Sequence, residues 1–179
     1  MFYGVILSPK KGGFMKKLFS VMMLAVLTGC AKVSVDNSVV DSLDVKRFLG
    51  AWYEVARYDH RFERGLEKTS VIYSLRDDGA IDVLNMGMKG DIMKEAKGKA
   101  KLTDTPALLR VSFFGPFYND YRIMMIDPDY QYALIGGSTD DYLWILSRTP
   151  KLSDDVRKRV LNEVQKRRYD TSKLYWVTQ

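Results

Sequence analysis

The sequence predicts an all-β, antiparallel fold, a sandwich or an up-and-down barrel, with one helix near the C-terminus. Three observations predict it. Short runs rich in aromatic and β-branched residues recur about every ten residues, with turn signals between them. Only one segment carries a plainly helical apolar stripe. The chain has 179 residues, 46% hydrophobic and 28% charged, so it is long enough for one core and too apolar for global disorder.

The elements follow in order. Residues 31–44 are polar with scattered valines and read as a tether. Trp52–His60 is the first predicted strand. Ser70–Arg76 is the second, and Asp77-Asp78-Gly79 turns it into Ala80–Met88, since Asp-Gly is a strong hairpin signal. Ile92–Leu102 carries Lys94, Lys97, Lys99 and Lys101 and reads as a largely solvated strand. Leu108–Phe114 stops at Gly115-Pro116, and Tyr121–Ile126 stops at Asp127-Pro128. Tyr132–Gly136 and Tyr142–Ser147 complete the set. Ser153 is the predicted N-cap of the helix, with Asp154 and Asp155 at its positive end and Lys166, Arg167 and Arg168 at its negative end. Its stripe of Val156, Val160, Leu161 and Val164 predicts packing on the outside of the sheet. A short strand, Leu174–Val177, is predicted last.

Composition narrows the function. Cys30 is the single cysteine and His60 the single histidine. Neither an intrachain disulfide framework nor a multi-cysteine zinc site can form, and most metal-hydrolase and Ser-His-Asp readings fall away. No Gly-X-Ser-X-Gly elbow is present, and an enzyme is not expected. No metal or cofactor is implied; Met86, Met88, Met93, Met124 and Met125 read as adaptable core rather than haem ligands. The formal charge is +6, but Lys10, Lys11, Lys16 and Lys17 lie in the first 29 residues, which hold no acid; the remainder has 24 basic and 22 acidic residues, a formal +2. That balance does not suggest nucleic acid.

Lys16 and Lys17 precede the apolar run Leu18–Leu27, broken only by Ser20. The run is too short to span a bilayer, which takes about 20 residues, and it has the pattern of a secretory signal. It ends Leu27-Thr28-Gly29-Cys30, which resembles the bacterial lipobox. The resemblance implies that residues 1–29 are a lipoprotein signal peptide, that Cys30 is acylated after cleavage, and that residues 30–44 tether the domain to a membrane. Ala31 in place of aspartate favours the outer membrane. Met15 is the expected start codon, because Met1–Phe14 precedes an already complete signal.

Phe48-Leu49-Gly50-Ala51-Trp52-Tyr53-Glu54 resembles the Gly-X-Trp signature of the lipocalins. Asn119-Asp120-Tyr121 resembles that family's Thr-Asp-Tyr motif, with Asn in place of Thr. Arg148, after Trp144-Ile145-Leu146-Ser147, falls where the family has its third signature arginine. The resemblance covers residues 44–179 and is nearest the outer-membrane lipoprotein branch. It implies an eight-stranded antiparallel up-and-down barrel over residues 45–179, with the helix packed outside. Gly50, Trp52, Asp120, Tyr121 and Arg148 would be structural signature residues. A large indole at the start of the first strand can plug one end of a barrel, and an arginine can lie across it, a cation–π contact worth about 0.5–2 kcal/mol.

Strand parity proposes an interior. If Trp52 points in, so do Glu54, Ala56 and Tyr58. Leu109, Val111 and Phe113 form the apolar side of their strand, and Leu146, Trp144 and Tyr142 lie on the side of Arg148. Tyr118 lies near one rim. Ala56, Tyr58, Val111, Phe113, Tyr118 and Trp144 are therefore the expected lining for an acyl chain. Glu54, if buried, needs a partner. Phe117, Tyr118 and Tyr121 are expected to form either a homodimer face or a ligand gate. The expected function is non-covalent binding or transport of fatty acids or lysophospholipids at the periplasmic face of the outer membrane, in envelope stress or membrane maintenance. The alternative is a structural or assembly lipoprotein with a filled barrel and a protein partner.

Overall fold

The computed structural model describes residues 34–179. Among them a short helix α1 (Val45–Phe48) leads into β1 (Gly50–Tyr58), β2 (Glu67–Leu75), β3 (Ile81–Lys89), β4 (Ile92–Leu102), β5 (Leu108–Phe114), β6 (Phe117–Ile126), β7 (Tyr132–Gly136) and β8 (Leu143–Ser147). Helix α2 (Asp154–Lys166), a 3-10 turn (Thr171–Lys173) and β9 (Leu174–Trp176) follow. Each strand pairs antiparallel with the next, and β1 pairs with both β2 and β8. The sheet therefore closes into an eight-stranded barrel, and the sandwich alternative is excluded. β9 lies outside the ring, against the second half of β1 through Ala56, Arg57 and Tyr58. In this up-and-down topology the loops after β1, β3, β5 and β7 meet at one end, here the mouth. Those after β2, β4 and β6 meet at the base.

The alternation in the sequence sets the walls. Val83 pairs with Gly98 and Ile81 with Ala100, all inward, which turns Lys97, Lys99 and Lys101 to solvent. Phe48, Trp52, Tyr73, Ile81, Leu109 and Ile135 pack together in the lower interior. A second apolar cluster lies outside the ring, where Val160 and Val164 of α2 cover Val55, Ala56, Met124, Leu134 and Ile145.

Two β-bulges make that second core. Glu54 pairs with Leu146 but Ala56 with Ile145, leaving Val55 as an extra residue. Ile123 pairs with Ile135 but Met125 with Leu134, leaving Met124 extra. Each bulge puts two successive side chains on the wall under α2. Arg167 at the helix end holds the arrangement: its Nη2 donates to the Met124 carbonyl (2.6 Å), its Nη1 to the Ser38 carbonyl (2.9 Å), and its Nε to Glu163 (2.7 Å).

The elements depart from expectation in three places. β6 begins at Phe117, four residues before the predicted Tyr121, because Gly115-Pro116 makes a tight turn that pairs Phe114 with Phe117. Asn119-Asp120-Tyr121 therefore lies inside a strand. Second, α1 and the 3-10 turn were not legible as elements. Third, the expected tether is folded chain from Ser34 onward: Val35, Val39, Val40 and Leu43 pack on the two clusters, and the Val40 N–H donates to the Ile123 carbonyl (3.0 Å). The expected signal peptide and Cys30 lie outside the described residues.

Candidate functional site

The base is sealed by one indole and one guanidinium. Gly50, at φ +90°, takes a left-handed conformation that turns the chain from α1 into β1. Trp52 is fully buried, and its Nε1 donates to the Phe48 carbonyl (2.8 Å). Arg148 stacks 3.7 Å above the Trp52 ring. Its Nη1 donates to the Ala51 carbonyl (2.7 Å), its Nη2 to those of Arg47 (2.7 Å) and Leu49 (2.9 Å), and its Nε to that of Tyr130 (3.3 Å). Those of Arg47 and Leu49 are carbonyls at the end of α1 that the helix cannot pair internally.

Above this plug the inner wall changes character. Val111, Phe113, Tyr121 and Trp144 point inward, yet all four stay partly accessible to solvent. Gly98 faces Phe113 so closely that a Cβ there would lie 2.8 Å from the ring and from the Ser112 carbonyl. A glycine therefore lets the Phe113 ring lie flat along β4. Tyr73 and Tyr121 share a 2.6 Å hydroxyl contact, and Tyr121 stacks on Trp144 with centroids 6.4 Å apart. Burial pushes both phenols above their ordinary range.

One charged pair sits in this wall. The bulge at Val55 turns Arg57 inward beside Glu54, and the guanidinium has no solvent exposure. Arg57 Nη1 donates to Glu54 (2.9 Å), and its Nη2 to the carbonyls of Glu63 (2.9 Å) and Leu66 (3.0 Å). The Thr69 hydroxyl adds a 3.2 Å bond to Glu54. Arg57 thereby ties the β1–β2 loop across the mouth. The Glu63 carboxylate in that loop accepts from Trp144 Nε1 (3.0 Å), and the His60 ring meets Trp144 edge-on at 5.6 Å.

Burial raises the Glu54 carboxyl to about 8, and the Glu63 carboxylate adds to this against the pull of Arg57. An acid whose folded pKa is raised takes up a proton on folding. Its stabilising contribution is complete below the ordinary value of 4.5 and is lost as pH rises through about 8. The urea midpoint is thus expected to fall across this window in the natural protein. Glu54→Gln, which cannot ionise, should flatten the decline; an unchanged slope would show that Glu54 titrates normally.

The bulge also corrects two expected ligand contacts. Ala56 and Tyr58 lie on the outer wall under α2, and the Tyr58 hydroxyl donates to the Asp170 carbonyl (2.8 Å). Simple alternation from Trp52 fails because the extra residue at Val55 reverses parity. Arg57 takes the inward place, and no local signal in the sequence marks it. Tyr118 also lies outside, its ring 4.9 Å from the Lys101 ammonium and 5.9 Å from that of Lys99. Tyr118 faces outward while Tyr121 points inward, so Phe117, Tyr118 and Tyr121 do not lie on one face. Asp120 is on the outer wall, paired with Arg122 (2.7 Å). Met86, which pairs with Ser70 and Glu95, and Met88, which pairs with Met93, are on the outer wall; Met124 and Met125 pack under α2. None of these five methionines lines the interior.

Ala56→Leu tests the parity. It adds volume where Ala56 is fully buried against α2, and such overpacking costs about 1–3 kcal/mol. Thermal unfolding should fall accordingly while lipid affinity is retained; loss of binding with unchanged stability would return Ala56 to the interior. An open cleft of about 390 Å³ also lies beside the mouth, but Asp59, Asp140 and Asp141 line it with Lys173, a poor surface for hydrocarbon.

A barrel plugged at its base, with a partly accessible apolar wall above the plug, has the form of a calyx. The chain belongs to the lipocalin family: residues 43–179 match its lipocalin-like domain. It is 51% identical over 146 residues to the outer membrane lipoprotein Blc of Escherichia coli K12, covering 79% of this chain and 82% of that protein. The Blc lipoprotein of Vibrio cholerae is 40% identical over 171 residues, covering 92% of this chain and 99% of that one. Among solved structures, insecticyanin from the tobacco hornworm superposes with a TM-score of 0.68 at 20% identity, covering 82% of this chain and 86% of that one. Lipocalins are generally binding proteins rather than enzymes, and they bind small hydrophobic ligands. The similarity places this chain with the outer-membrane lipoproteins of Gram-negative bacteria.

Proposed function

We propose that this lipocalin holds one acyl chain, of a fatty acid or a lysophospholipid, at the periplasmic face of the outer membrane. Acylated Cys30 anchors it there, and its service is membrane maintenance or envelope stress. Binding is non-covalent. The observation that supports this reading is the solvent-accessible stretch of Val111, Phe113 and Trp144 inside a barrel whose base is packed. Each methylene withdrawn from water onto such a wall contributes about 0.8 kcal/mol. The buried Arg57 and the β1–β2 loop it ties lie toward the mouth, where a polar head would rest.

Organic extraction of the purified protein followed by mass spectrometry should yield single-chain lipids. Val111→Trp, which fills the accessible wall, should reduce the extracted lipid about tenfold, the equivalent of roughly 1.4 kcal/mol, with little change in thermal stability. A lipid-free protein whose Trp144 emission ignores added fatty acid would favour a structural lipoprotein instead. Cys30→Ser should release the protein from the membrane fraction.

A further inference from the structure

The large apolar side chains exposed to solvent are not spread evenly. Five of the nine among the described residues lie at the mouth: Phe62 (60%), Ile92 (60%), Met93 (56%), Phe114 (73%) and Phe117 (75%). They come from three of the four mouth loops. The hairpin that carries Phe114 and Phe117 has no charged residue from Val111 to Asn119. Cations stand just behind these tips, with Asp91 in the Ile92 turn and Asp59, Asp140 and Asp141 confined to the cleft at one side of the mouth. The Arg61 guanidinium lies 4.6 Å from the Phe62 ring, Lys89 and Lys94 flank the Ile92 hairpin, and Lys99 and Lys101 flank Tyr118. Apolar tips with lysine and arginine stems behind them suit the boundary between lipid headgroups and acyl chains.

The course of the N-terminal segment points the same way. Asp44, bonded to the Tyr130 hydroxyl (2.8 Å), is at the base. Read backward, the chain climbs the wall past Ile123, and the Asp36 N–H donates to the carbonyl of Arg167 (2.9 Å), at the end of α2 nearer the mouth. Ser34 therefore leaves the barrel in the mouth half. Cys30 is four residues away, a reach of at most about 14 Å. An acyl anchor there would hold the mouth, not the base, toward its bilayer.

We propose that the mouth rim is a bilayer-docking surface: Phe62, Ile92, Phe114 and Phe117 enter the headgroup region, and the basic residues behind them face anionic lipid. Docking brings the calyx opening to the layer that supplies its ligand, so a tail need not cross water. This rests on the Cys30 anchor and not on which lipid is carried.

Cys30 is the only native thiol, so in the acylated full-length protein Phe117→Cys offers a unique site for a nitroxide. The protein would be reconstituted in vesicles of phosphatidylethanolamine and phosphatidylglycerol. Power saturation should show the label rich in oxygen and shielded from a water-soluble nickel complex, while a label at Leu75→Cys, exposed near the base, should stay in water. Equal, water-like accessibility at both sites would overturn the proposal. So would spin–spin broadening at Phe117→Cys, which would make the rim a contact between copies. In a second arm, Phe114→Ser with Phe117→Ser should slow lysophospholipid uptake from vesicles about tenfold and leave the amount of extracted lipid unchanged; unaltered uptake would also overturn docking. Absence of extractable lipid in the natural protein would instead mark failure of the carrier reading, and failure to partition into vesicles would mark failure of the anchor.

Discussion

Arg57→Ala is expected to destabilise the protein by about 3–5 kcal/mol at alkaline pH, the usual cost of leaving a buried charge without its partner. The variant strands Glu54, which is 8% exposed, beside the Glu63 carboxylate. Glu54 can escape the penalty only by binding a proton, so the loss should shrink as pH falls. Adding Glu54→Gln should recover much of the stability, because it removes the orphaned charge. The same variant frees the Glu63 and Leu66 carbonyls, so the β1–β2 loop loses its tie and bound lipid should exchange faster. Denaturant unfolding of the single and double variants at several pH values measures the first effect, and stopped-flow fluorescence of Trp144 the second. A loss below about 1 kcal/mol at every pH would show that the pair is easily replaced by water.

Arg148→Ala should cost about 2–4 kcal/mol. Hydrogen bonds to a charged group contribute about 1.5–3 kcal/mol each, but the guanidinium is half-exposed and water will replace part of what is lost. The carbonyls of Ala51, Arg47 and Leu49 lose their donor together, and Trp52 loses its covering cation. At about 2–4 °C per kcal/mol for a chain of this size, the melting temperature should drop by roughly 4–16 °C. Arg148→Lys should sit between the two, since an ammonium keeps the charge but cannot reach three carbonyls along one fork. Retention of lipid by the surviving folded fraction would separate closure of the base from capture of the ligand.

The turn chemistry was readable because it is local. Asp77-Asp78-Gly79 and Gly115-Pro116 have few alternatives to a reversal, and the runs between such points can only be short strands. The sealed base was readable through resemblance, since Gly50, Trp52 and Arg148 stand in the lipocalin order. Val111, Phe113 and Trp144 were assigned to the inner wall by alternation. Val111 and Trp144 lie on stretches with no bulge between them and the residues that fix their parity, and Phe113 keeps its inward place against Gly98 although the β5–β6 register shifts after Val111. Ala56, Tyr58 and Tyr118 were misplaced for related reasons. A bulge at Val55 reverses the first two, and the start of β6 at Phe117 puts Tyr118 on the outer face.

Local chemistry, then, determined the run of strands, the turns, the capped helix and the family signatures, because each depends on neighbours a few residues apart. Tertiary structure alone decided which wall each side chain lines past a bulge, that Arg57 meets Glu54 inside the barrel, that Ser34–Asp44 is packed chain, and that the exposed apolar tips gather at one end. A bulge is stabilised by what covers it, here α2 and Arg167 at a distance of more than 40 residues from Met124, and no window of sequence contains both partners.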